Sequence, residues 1–99
     1  MHKLVFYDIE SDKLRTKISQ DLEQFGLIRI QKSVFLGHGN ASFWKKLKKR
    51  TSIRLPHLQD SDSICFIELN SKAIDRAIIY GNLSIFEEWH KSSLDFWLI

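Results

Sequence analysis

Asp8 closes a short apolar run, residues 3–9 (KLVFYDI), and is the residue best placed to do chemistry. A buried carboxylate without a partner is costly. Asp8 therefore calls for a partner, a metal or solvent, unless it simply starts a turn or caps the next helix. Glu10 stands two residues on, on the same face if the strand continues, and Asp12 is close by. Three acids in five residues could attract magnesium, which takes oxygen ligands and keeps several waters. One chain offers no complete site of this kind. Two copies of Asp8 meeting across a two-fold axis would repel unless a cation or proton lay between them. Magnesium held there could activate water for phosphodiester cleavage.

Basic residues form two groups. Lys13, Arg15 and Lys17 come just after the acids, and Lys45, Lys46, Lys48, Lys49 and Arg50 crowd a second segment around Trp44 and Leu47. They serve either as a solvated face or as contacts to phosphates, each neutralised phosphate adding salt-dependent affinity. His2, His38, His57 and His90 show no ligand spacing and read as ordinary. Gly37-His38-Gly39 is too short for a nucleotide loop, and no serine sits in a nucleophile elbow. Cys65 is the only cysteine, which excludes an intrachain disulfide; its apolar neighbours point to a buried, inert thiol.

The elements that must position these residues are legible in outline. Residues 3–9 read as a strand, and Ser11 or Asp12 can cap a helix over 12–25. Leu14, Ile18, Leu22 and Phe25 make its single apolar stripe, and Gly26 ends it. Residues 27–30 and 33–36 read as β-structure, joined at Gln31-Lys32 by a tight turn or run together as one strand. Gly37 and Gly39 break the run. Asn40 or Ser42 can cap a second helix over 41–50, with Phe43, Trp44 and Leu47 inward. Residues 51–62, with Pro56, read as a loop, 63–69 (SICFIEL) as a strand, and the apolar AIIY before Gly81 as a short extra strand. In the tail, Ile85, Phe86 and Trp89 suit a helix over 84–91. Residues 94–99 suit a strand added to a sheet edge, that of a second protomer above all.

Strand-helix-strand taken twice predicts an α+β, ferredoxin-like βαββαβ sandwich with an extra C-terminal strand. Residues 1–81 would form the domain and 82–99 a tail packing on the partner protomer or another subunit. Ninety-nine residues make one domain and leave no second layer for the sheet, so a homodimer is expected. The chain is 43% hydrophobic and 27% charged, with seven Phe, three Trp and one Pro, which excludes disorder. The net charge of +3 is compatible with a polyanionic partner without demanding one. No apolar run is long enough for a membrane span and no signal pattern is visible, so a cytoplasmic protein is expected.

LVFYDIESDKLRTKI, followed after the helix by FGLIRIQKSVFLG, resembles the CRISPR-associated protein two family. Tyr7-Asp8-Ile9 and Arg29-Ile30-Gln31-Lys32-Ser33-Val34-Phe35 carry the likeness, which runs over about residues 1–81. The resemblance implies a ferredoxin-like homodimer that joins the integrase, CRISPR-associated protein one, during spacer acquisition. The dimer would bridge two integrase dimers and bind double-stranded DNA. Some relatives are reported as metal-dependent nucleases on RNA or double-stranded DNA, and the aspartate matching Asp8 is the family's metal ligand, here expected to be for magnesium. The scaffold role is the safer inference. Two departures stand out: Arg15-Thr16-Lys17 replaces an adjacent basic pair, and residues 82–99 fall outside the pattern. A ribonuclease toxin of the virulence-associated protein D type shares the fold and a similar strand-end Asp. A regulatory ferredoxin-like module without nucleic acid is the third class.

Overall fold

Alternation along the first strand decides how the whole sheet faces. The structure is a computed structural model and describes residues 1–81. The first strand, β1, spans His2–Asp8. Val5 and Tyr7 lie in the main core, whereas Leu4 belongs to a second cluster. Successive strand side chains point to opposite faces, so Leu4, Phe6 and Asp8 share the face away from the main core.

Helix α1 spans Asp12–Gln24 and starts at Ser11, whose hydroxyl accepts the Leu14 N–H at 3.2 Å. Leu14, Ile18 and Leu22 are buried in the main core, as their spacing predicts. Gly26 has φ +85°, a left-handed turn that a Cβ would strain.

Strands β2 (Ile28–Gln31) and β3 (Val34–His38) form a hairpin with Lys32 and Ser33 at its turn, so the tight-turn alternative holds. Gly37 does not break this run, contrary to expectation. It is buried inside β3, where a Cβ would lie 2.7 Å from both Leu27 Cγ and Trp44 Cη2. A glycine in a strand can mark a close approach rather than a breaker, and here core side chains close over the bare backbone.

Helix α2 spans Ala41–Ser52, with Asn40 Oδ1 accepting the Phe43 N–H at 2.8 Å. It runs two residues past the expected end because Thr51 is buried and its hydroxyl donates to the Leu47 carbonyl at 2.9 Å. The expected loop over 51–62 therefore begins as helix and carries a 3₁₀ turn at Leu55–His57 around Pro56. Strand β4 spans Ser63–Leu69. Cys65 is half-buried, not fully buried as expected, because Ile64 and Phe66 on either side of it pack on the main core and alternation turns Cys65 to the opposite face.

The sheet order is β2-β3-β1-β4, and every neighbouring pair is antiparallel. Each strand-helix-strand unit thus skips one strand, the split arrangement of a ferredoxin-like domain. Both long helices contribute to one core against Val5, Tyr7 and Phe35. On the other face Leu36 and Ile74 are buried with Leu4, Ile28, Ile30 and Leu69 around them. Ile74 comes from α3 (Ser71–Asp75), a short helix capped by Asn70.

The short strand expected at AIIY is not formed. Residues 77–80 leave α3 without joining the sheet, and Ile78 and Tyr80 are exposed. A strand needs a neighbour to take its N–H and C=O groups, and no described strand pairs with this one. The readings for 84–91 and 94–99 lie outside the described residues. Among the described residues no helix is long and apolar enough to cross a membrane.

Candidate functional site

Asp8 ends β1 opposite Ser63 of β4 and is exposed. Among the described residues its carboxylate enters no ion pair or side-chain hydrogen bond. Glu10 and Asp12 do not join it. The Glu10 N–H donates to Asp62 Oδ1 at 3.0 Å, while Asp62 Oδ2 accepts the Gln59 N–H at 2.9 Å. Asp12 pairs with Arg15, and Arg15 Nη1 also donates to the carbonyls of Ile9 at 3.0 Å and Glu10 at 3.3 Å. The loop leaving Asp8 is thus pinned from both sides.

No three metal-ligating side chains converge among the described residues. Magnesium is commonly held by one or two carboxylates with waters completing its shell. A single solvent-facing carboxylate with uncommitted oxygens fits half of such a site, and it stands on the face that α1 and α2 leave open.

The basic residues divide by what already holds them. Lys13 and Lys17 are exposed on one side of α1, four residues apart. Lys45, Lys46, Lys48 and Lys49 are exposed on α2. Arg15 and Arg50 are committed inside the domain. Arg50 donates to Asp21 Oδ1 through Nε at 3.2 Å and Nη2 at 3.1 Å. Arg54 adds Nε to Asp21 Oδ2 at 2.8 Å and Nη2 to Oδ1 at 3.0 Å. Asp21 is only 3% exposed. Burial raises its pKa, but the hydrogen bonds and charges of Arg54 and Arg50 outweigh that and hold it below the usual carboxylate range. This clamp ties α1 to the end of α2. Sequence reading missed it, although an Asp beside the apolar stripe positions Ile18 and Leu22 was a usable signal.

A second missed cluster is a histidine pair. His2 and His38 face each other in register between β1 and β3, with ring centroids 4.0 Å apart in an edge-to-face contact. Burial, then the neighbouring His38, then the N-terminal ammonium lower the His2 pKa to about 4. His38 is also lowered, chiefly by burial. Thirty-six positions separate the two in sequence, so only strand register reveals the contact.

Fold and surface define a small ferredoxin-like α+β domain, with a free strand-end carboxylate on one side of its sheet and lysine-rich helices on the other. The sequence model described as CRISPR associated protein Cas2 matches residues 1–77, and the chain belongs to that family. A CRISPR-associated endoribonuclease Cas2 of Pyrobaculum aerophilum is 38% identical over 81 residues, 82% of this chain and 87% of the relative. A namesake from Methanospirillum hungatei JF-1 is 35% identical over 78 residues, 79% of this chain and 80% of the relative. The crystal structure of Streptococcus pyogenes Cas2 is similar at a TM-score of 0.63 and 26% identity, over 82% of this chain and all of that one. A chain of a partial Cas6-RT-Cas1–Cas2 complex is similar at 0.66 and 28% identity, over 80% of this chain and 89% of that one.

Proposed function

We propose that the chain works in CRISPR adaptation as a homodimer that bridges dimers of the Cas1 integrase and holds double-stranded DNA by its backbone. The observation that carries this reading is the group of exposed lysines on the two helices. Exposed Lys13, Lys17, Lys45, Lys46, Lys48 and Lys49 lie on the helical side, where a polyanion can approach without meeting Asp8. Such contacts read phosphates rather than bases, as capture of many sequences requires. The similar chain in a Cas1–Cas2 complex supports the integrase as partner. Exposed Ile67, Ile78 and Tyr80 support a second copy as cover for apolar surface left by one chain.

The relatives' name, endoribonuclease, supports a metal-dependent phosphodiesterase activity as a secondary property, on RNA or DNA. Asp8 from each protomer would hold magnesium at the two-fold. Bound magnesium supplies Lewis acidity for phosphodiester hydrolysis. The chain's own part is to position the carboxylate, through the loop that Arg15 and Asp62 fix.

Light scattering during size exclusion tests the assembly. The free protein should run at twice the 11.7 kDa chain mass and co-elute with a Cas1 integrase from the same locus. Duplex affinity should fall steeply with salt and vary little with sequence. A monomer that ignores both the integrase and duplex DNA would refute the reading.

A further inference from the structure

Between the first half of α1 and the 3₁₀ turn lies an open cavity of about 300 Å³ lined by Ser11, Lys13, Leu14, Lys17, Arg54, His57 and Gln59. Its walls carry three fixed cations and one imidazole but no carboxylate. Lys13 and Lys17 stand one helical turn apart on the same side of α1 and reach into the same space. Neither they nor the His57 ring enters an ion pair or side-chain hydrogen bond among the described residues. Arg54 is different, because Asp21 grips its Nε and Nη2 and fixes the guanidinium as part of the wall. The Ser11 hydroxyl already accepts from the Leu14 N–H, so the side chains rather than the helix end supply the donors.

We propose that Lys13, Lys17, Arg54 and His57 form a pocket that seats one phosphate group of a nucleic-acid strand. The inference rests on the proposed nucleic-acid function and deepens it. It adds Arg54 and His57 to the interface and makes the two α1 lysines act on one phosphate instead of two. Rigid Arg54 sets the position, and the lysines and the imidazole N–H close around the oxygens. A strand phosphate carries a negative charge and acceptor oxygens without a donor, which suits a wall whose charged groups are all cationic donors. Inorganic phosphate offers the same kind of anionic oxygens as a strand phosphate, so two measurements separate the sources.

The first is an amide NMR titration of the full chain with inorganic phosphate, against chloride at equal ionic strength. Saturable shifts should concentrate at Lys13, Leu14, Lys17, Arg54, His57 and Gln59. The second is duplex anisotropy across a potassium chloride series for the wild type, Lys13→Ala/Lys17→Ala, and the same double variant with His57→Ala. Arg54 is left in place because it holds Asp21. Each phosphate contact contributes about 0.9 to the slope of log affinity against log salt. Each protomer of the proposed dimer brings one such pocket, so if both lysines of a protomer serve one phosphate, their joint removal should lower the dimer's slope by about two. A fall of about four, an unchanged slope, or phosphate shifts spread evenly over α2 would overturn the pocket while leaving duplex binding by the helices intact. A wild type that binds no duplex would overturn both the pocket and the proposed function.

Discussion

Acid should unfold this domain in a window set by the histidine pair. His2 is 2% exposed and sits edge-on to His38 in the β1–β3 ladder. An unfolded histidine titrates near its ordinary 6.5, whereas folded His2 titrates near 4. Between these values the unfolded chain holds a proton that the folded chain refuses. Stability is therefore complete above about pH 6.5 and falls as pH drops toward 4. The gap corresponds to at most about 3–4 kcal/mol, at about 1.4 kcal/mol per unit. His38, lowered in the same direction, adds to the loss. Small domains hold only about 5–15 kcal/mol in total, so the effect is large. Asp21 contributes elsewhere. Its folded pKa is depressed, so its stabilisation is present above the usual carboxylate value and is lost only at lower pH.

Urea unfolding at pH 7.5, 6.5, 5.5 and 4.5 measures the effect directly. The wild-type midpoint should change little down to pH 6.5 and then drop progressively. His2→Gln, which keeps a polar side chain but cannot titrate, should flatten most of that drop. A wild-type midpoint that is level from pH 6.5 to 4.5 would refute the reasoning. So would an unchanged pH slope in the variant.

Gly37→Ala forces a methyl into Leu27 and Trp44, and overpacking of this kind costs about 1–3 kcal/mol. Thermal unfolding should fall by roughly 4–8 °C for each kcal/mol; an unchanged midpoint would remove Gly37 from the packing argument. Asp21→Ala frees Arg50 and Arg54 together and should cost about 2–3 kcal/mol in urea unfolding, since hydrogen bonds to charged groups contribute about 1.5–3 kcal/mol. A loss under about 0.5 kcal/mol would mean that the clamp adds nothing. Asp8→Asn should abolish magnesium-dependent cleavage of RNA or DNA while leaving dimer mass and duplex affinity unchanged. Cleavage that persists in the variant would remove Asp8 from the chemistry.

Features that depend on period and local caps could be read from the sequence. The spacing of Leu14, Ile18 and Leu22 located α1, and the short apolar run rich in β-formers in KLVFYDI located β1, because both signals are local in the chain. What could not be read depends on contacts distant in sequence. Gly37 looks like a breaker until Leu27 and Trp44 are seen to close over it. Arg50 looks like one more lysine-row cation until Asp21, 29 positions earlier, takes it. AIIY has the composition of a strand, but composition supplies no partner edge. Asn70, capping α3 just before it, was a local signal that could have been used.

The placement of Asp8 bears on how binding and cleavage relate. A metal held by a carboxylate must touch the phosphate it acts on. Asp8 shares a strand face with Leu4, whereas Lys17 and the α2 lysines rise from helices packed on the opposite face against Val5 and Tyr7. The sheet itself therefore stands between them. Under the proposed function, a phosphate seated against the helices is not the one cut beside Asp8 of the same protomer. A bound strand reaches that carboxylate only around the sheet end, past the loop that Arg15 and Asp62 pin. Loss of the lysines should then weaken binding for every sequence, and loss of Asp8 should leave binding intact. Under the proposed function, duplex binding uses the helical side, so it can persist in a chain whose carboxylate does nothing.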